Sequence, residues 1–172
     1  HFAHTTFNLY EGILRFAASF MSDEGDYERF FKPVGVRKWR PWAVVVRDIP
    51  AGVSTISDIP DFTPGSLGSR AHILRAIHTV LPFADYSDSS LVRVDLPEIS
   101  IEISIGEDDP VGGFECHVRH GEFAGAAIAE ILEQLGAGAF YLNGGDGLFD
   151  GRIAERSRAR WQQYKAAAVS QA

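Results

Sequence analysis

A period of two on both sides of a short turn is the feature that most restricts this chain. Ile99, Ile101, Ile103 and Ile105 fall on one parity, and Ser100, Glu102 and Ser104 on the other. The tight acidic turn Gly106-Glu107-Asp108-Asp109-Pro110 interrupts the run, and alternation then resumes. Phe114, Cys116 and Val118 share one parity, and Glu115, His117 and Arg119 the other. Successive side chains of a strand point to opposite faces, so this pattern predicts a β-hairpin with one face buried and one wet.

Charge selects the register. With Ile103 opposite Phe114, Glu102 would face Glu115, a destabilising like-charge pair. With Ile103 opposite Cys116, Glu102 faces His117 and Ser104 faces Glu115. The second register is preferred, and it implies a longer loop around the acidic turn.

The 172 residues suffice for one ordinary domain with appendages, and 45% hydrophobic against 23% charged residues is the balance of a globular chain. One cysteine, Cys116, excludes an internal disulfide and multi-cysteine metal sites. The net charge of −7 argues against nucleic acid and against an anionic membrane surface, and favours solubility or basic partners. No apolar run approaches the roughly 20 residues that span a bilayer, and Asn8, Glu11 and Arg15 interrupt the N-terminal apolar stretch, unlike a secretory signal. A cytoplasmic location is expected.

Along the chain, apolar spacings of three and four over residues 7–20 predict an amphipathic helix, with a short helical turn at Tyr27–Phe31. Residues 32–41 read as a basic linker or loop and Trp42–Asp48 as a valine-rich strand. Residues 53–68 read as an ordered surface loop. Ser69 caps a helix that stops at Pro82. Asp85–Ser90 reads as a polar turn and Leu91–Leu96 as a strand. After the hairpin comes a helix over Phe123–Leu135, ended by Gly136 or Gly138, then a short strand over Ala139–Leu142 and a turn at Asn143–Gly147. Residues 152–168 read as a last helix, whose Trp161 and Tyr164 need a surface to bury against. Strand, helix, strands, helix, strand is the split β-α-β pattern, so the expected fold is an α+β, ferredoxin-like core with added N- and C-terminal helices. The expected parts are a helical extension over 1–40, the core over 41–150 and a C-terminal helix over 151–172.

The segments VVVRDIP (Val44 preceded by Ala43, through Pro50), SDIP (57–60), SLGSR (66–70), ADYSD (84–88), SIEI (100–103), GEDDPV (106–111) and HVR (117–119) resemble a group of small uncharacterised bacterial proteins. The resemblance spans residues 42–149. It departs at Ser89-Ser90-Leu91, where the group has an aromatic residue and a glycine, and at His120-Gly121, where it has a glycine pair. It implies a bacterial origin and supplies no catalytic residues. Some of the group are similar to immunity proteins encoded beside bacterial toxins. With the negative charge and the polar hairpin face, that likeness implies a protein-binding module that neutralises a basic toxin.

The candidate site is that polar face: Glu102, Ser104, Glu115, His117 and Arg119. It binds a protein partner in the reading preferred here. Alternatively, Glu102, His117 and Arg119 serve a small-molecule-binding domain or an enzyme, with a Glu–His pair as general base. A third reading is a structural subunit of a homo-oligomer, a dimer through the terminal helices. No catalytic set, cofactor or metal site is expected. Glu107, Asp108 and Asp109 lack the spacing of a calcium loop and read as a turn that keeps a sheet edge soluble. Cys116 and His117 point to opposite faces and cannot easily share an ion. The stripe Arg152, Arg156, Arg158, Arg160 and Lys165 reads as a solvated helix face, with packing on the acidic body or on a second subunit as the alternative.

Overall fold

A computed structural model describes residues 40–50, 52–55, 58, 65–142 and 147–170. The expected helices over 7–20 and 27–31, most of the 32–41 linker and most of the Asn143–Gly147 turn lie outside them. The elements in chain order are β1 (Trp42–Arg47), α1 (Arg70–Val80), β2 (Asp85–Asp88), β3 (Leu91–Leu96), β4 (Ile99–Ser104), β5 (Phe114–His120), α2 (Ala124–Leu135), β6 (Gly138–Tyr141) and α3 (Arg152–Val169). The six strands form one sheet in the order β2-β3-β4-β5-β1-β6, every neighbouring pair antiparallel. The described chain is therefore an α+β fold of six strands and three helices.

The hairpin has the register that charge favours: Glu102 pairs with His117, Ile103 with Cys116 and Ser104 with Glu115. Ile99, Ile101, Ile103 and Ile105 are buried, as are Phe114, Cys116 and Val118. They pack with Val44 and Val46 of β1, Ile73, Ile77 and Val80 of α1, and Ile128 and Ile131 of α2 in a single core. Each such side chain contributes about 1.5–3 kcal/mol by leaving water. One residue breaks the expected alternation of wet and dry. Ser100 is only 2% exposed, and its hydroxyl donates to Asp95 Oδ1 at 3.0 Å. A register shift between Ser100 and Ile101 accompanies that burial.

Helix α1 starts where Ser69 predicts: its side chain accepts from the His72 amide at 3.3 Å. Asp109 Oδ1 also accepts from the Arg70 amide at 3.2 Å, so the acidic turn supplies a second acceptor to that helix end. This corrects the reading of the turn as an edge guard. Strands β4 and β5 are interior to the sheet, and the loop is tied down, since Val111 exchanges backbone hydrogen bonds with Leu67 and Gly68 at 2.8 and 2.9 Å.

The expected polar turn at Asp85–Ser90 is a second difference. Asp85–Asp88 is strand β2, the outermost of the sheet. Four residues with one inward side chain, Tyr86, carry too little apolar alternation to announce a strand. Tyr86 donates to the Leu81 carbonyl at 2.8 Å, while Asp85 and Asp88 accept from the Ser87 and Ser90 amides. The Ser90 hydroxyl, which donates to Asp88 at 2.7 Å, and these amides hold both carboxyls below the usual aspartate range. Aspartates on an outer strand discourage pairing with another sheet.

Gly121 makes the turn from β5 into α2. Its φ is +119°, and a Cβ there would lie 2.4 Å from the Glu98 carbonyl oxygen, so only glycine fits. Gly136, at φ +59°, ends α2 in the left-handed conformation common at helix C-termini. Between them α2 buries Ala124, Ala126, Ala127, Ile128, Ala129, Ile131 and Leu132, more than one stripe. A helix buried on more than one side has more than one neighbour. Here they are the sheet, α1 and α3, all within the compact unit Trp39–Ala172.

Candidate functional site

Opposite the core, the central strands carry a row of charge. Arg93 of β3 pairs with Glu102 of β4, which pairs with His117 of β5. The pleat puts all three on one face, together with Glu115 and Arg119. Backbone register does not decide which side chains meet. Glu102 Oε2 accepts from Arg119 Nη2 at 3.2 Å and lies 3.6 Å from Arg93 Nε. His117 Nε2 instead donates to Glu115 Oε2 at 2.9 Å, two residues back along the same strand. The result is an Arg–Glu–Arg bridge across three strands beside a Glu–His pair. Ser104, opposite Glu115, is exposed.

The sequence-derived site residues therefore share one face, but Glu102 and His117 do not pair as a general-base dyad would. The cations and carboxylates also differ in depth. The side chains of Arg93 and Arg119 are 55% and 56% exposed, while those of Glu102, His117 and Glu115 are 22%, 24% and 26% exposed. The arginines are the more exposed members of the face, and Glu102, paired with both, lies recessed between them. Sequence reasoning missed Arg93. Its signal was its own alternation with Val92 and Val94, which becomes meaningful only once β3 is known to pair with β4.

Cys116, directly beneath this face, is fully buried in the core. Burial, with the neighbouring Glu115 carboxylate, pushes its thiol up, away from the reactive thiolate. Among the described residues, no group of three or more His, Cys, Asp or Glu side chains is placed to hold a metal ion. Among them too, no helix is long and apolar enough to cross a membrane.

A second polar cluster joins α2 to α3: Arg156, Arg158 and Arg160 of the basic stripe are exposed, as a solvated face requires, and the helix also packs on the acidic body. Glu130 accepts from Trp161 Nε1 at 2.7 Å, Gln162 Nε2 at 3.0 Å and Lys165 Nζ at 2.6 Å. Arg160 makes a bidentate pair with Glu122, at 2.9 and 2.8 Å, and Arg158 pairs with Glu133. Trp161 is fully buried and packs with Tyr164, Phe83 and Phe123 at ring-centroid separations of 6.0–6.4 Å. Burial raises the Glu130 carboxyl, but the Lys165, Trp161 and Gln162 donors outweigh it and hold the group below the usual glutamate range.

No family model, curated protein or solved structure matches the chain.

Proposed function

We propose that this chain is a protein-binding module of the immunity type, an inhibitor that holds the polar face of β3, β4 and β5 against a bacterial toxin. The observation that carries this reading is the ordered charge on that face: Arg93, Glu102 and Arg119 bridged across three strands, with Glu115 and His117 beside them. Complementary fixed charges give a protein interface orientation and a fast encounter. The net charge of −7 adds long-range attraction for a basic partner. The recessed carboxylates Glu102 and Glu115 are the groups for its cations.

The accompanying fold reading is a ferredoxin-like core, β1-α1-β4-β5-α2-β6, with β2 and β3 added at one edge. Two features support it. Strand β5 lies between β1 and β4, and β1 lies between β5 and β6, each antiparallel to its neighbours.

Co-purification from the native bacterium, followed by expression of the captured protein alone, tests the function. The expected result is a partner that is toxic alone and harmless when this chain is co-expressed, with protection lost on Glu115→Lys or Arg119→Glu. Protection unaffected by either substitution would move the interface elsewhere. Tight binding of a metabolite with no protein partner would overturn the proposal.

A further inference from the structure

We propose that α3 is an electrostatic clasp: a basic helix held on an acidic body by carboxylates on and just before α2, released by salt while the sheet stays folded. The charge division is steep. Helix α3 carries Arg152, Arg156, Arg158, Arg160 and Lys165 against Glu155, a net +4, so the rest of the chain bears −11 of the −7 total. The contacts follow that division. Glu122, Glu130 and Glu133 receive Arg160, Lys165 and Arg158 in turn.

The apolar docking centres on Trp161. Among the described side chains, α3 buries Ala154 and Trp161 fully, with Tyr164 half-buried against Phe123 and Phe83. Charge also enters that contact. Arg160 lies over the Phe123 ring at 5.7 Å and Lys165 over the Trp161 ring at 5.9 Å. On the body side Glu98, in the β3–β4 turn, is close enough to Tyr164 to raise its hydroxyl, after burial itself. A cavity of about 140 Å³ lined by Ala126, Glu130, Gln134 and Trp161 lies beside the interface. The Arg158–Glu133 and Arg160–Glu122 pairs are largely exposed. Such pairs are screened within a Debye length of about 3 Å at 1 M salt. The β4–β5 pairing, made of backbone bonds over a dry core, is not. An element docked on one aromatic cluster and held by screened charge opens before the global fold does. Opening here uncovers Phe83 and Phe123, an aromatic seat shaped for a helix that carries a tryptophan flanked by basic residues.

Amide hydrogen exchange of the whole chain at neutral pH, in about 0.05 M and about 1 M sodium chloride, tests the clasp. The expected result is a loss of α3 protection of the order of tenfold in high salt, since the two exposed pairs together reach about that factor, with β4 and β5 amides unchanged. Equal exchange of α3 and β4, or α3 protection indifferent to salt, would overturn it. Arg160→Glu should lower α3 protection in low salt, and adding Glu122→Arg should restore it. A double variant as unprotected as the single one counts against the clasp.

Discussion

The polar face of the sheet and the seam between α2 and α3 use the same device with opposite consequences. In each, one glutamate takes several donors: Glu102 takes Arg93 and Arg119, and Glu130 takes Trp161, Gln162 and Lys165. Beneath Glu102 the strands are already joined by their backbone ladders and backed by Ile101, Ile103 and Cys116. The charge there decorates a surface that exists without it. Beneath Glu130 there is no ladder. Among the described residues, side chains hold α3, and the glutamate is one of the main ones. The same substitution should therefore be silent for stability on the sheet and costly at the seam.

Trp161→Ala should have the largest effect. Truncating a buried tryptophan costs about 3–5 kcal/mol, and it leaves Glu130 without its indole donor. Urea unfolding should show a lower midpoint, or an early phase in which α3 detaches. A loss under about 1 kcal/mol would mean that the seam contributes little and would erase the contrast between the two regions.

Glu130 is expected to make the next largest difference, and pH reveals it. Its carboxyl titrates lower in the folded chain than in the unfolded one. The ionised form is thus favoured by folding. The stability it contributes is fully present above the unfolded glutamate value, and it drains away as pH falls through the lower folded value. Urea midpoints of the parent and of Glu130→Gln should differ by a constant amount between about pH 7 and 5, then converge as pH falls further. A gap that widens toward acid would reverse the sign of this account.

The contrast also separates what the sequence could disclose. The hairpin, its buried isoleucines and its register were legible because period two is local and because Glu102 opposite Glu115 would have been repulsive. The partners of Glu102 were not legible: they depend on the β3 register and on how far Arg93 and Arg119 reach. Likewise Asp109 reads as one acid among three until Arg70, 39 positions away, is brought to it. The seat of Trp161 joins residues from the α1–β2 loop, α2 and α3. The sequence showed the need to bury that side chain but not the surface that meets it. Strand β2 was hidden for another reason, being too short and too polar to carry a period.

The smallest effect sharpens the comparison most. Arg119→Ala and Glu102→Gln should each change stability by no more than about 1 kcal/mol, the range of exposed ion pairs. The Arg119 side chain is more than half exposed, so its pair with Glu102 gains little over solvation. Arg93 still faces Glu102 across the β3–β4 ladder when Arg119 is removed, so the carboxylate is not stranded. Thermal midpoints should stay close to the parent while the Glu115–His117 pair, on the same strand, persists and can be followed by the His117 ring resonances. If either substitution instead costs as much as Trp161→Ala, the bridge is structural. The sheet face would then be a second seam, whose charges hold the fold and are not available to a partner.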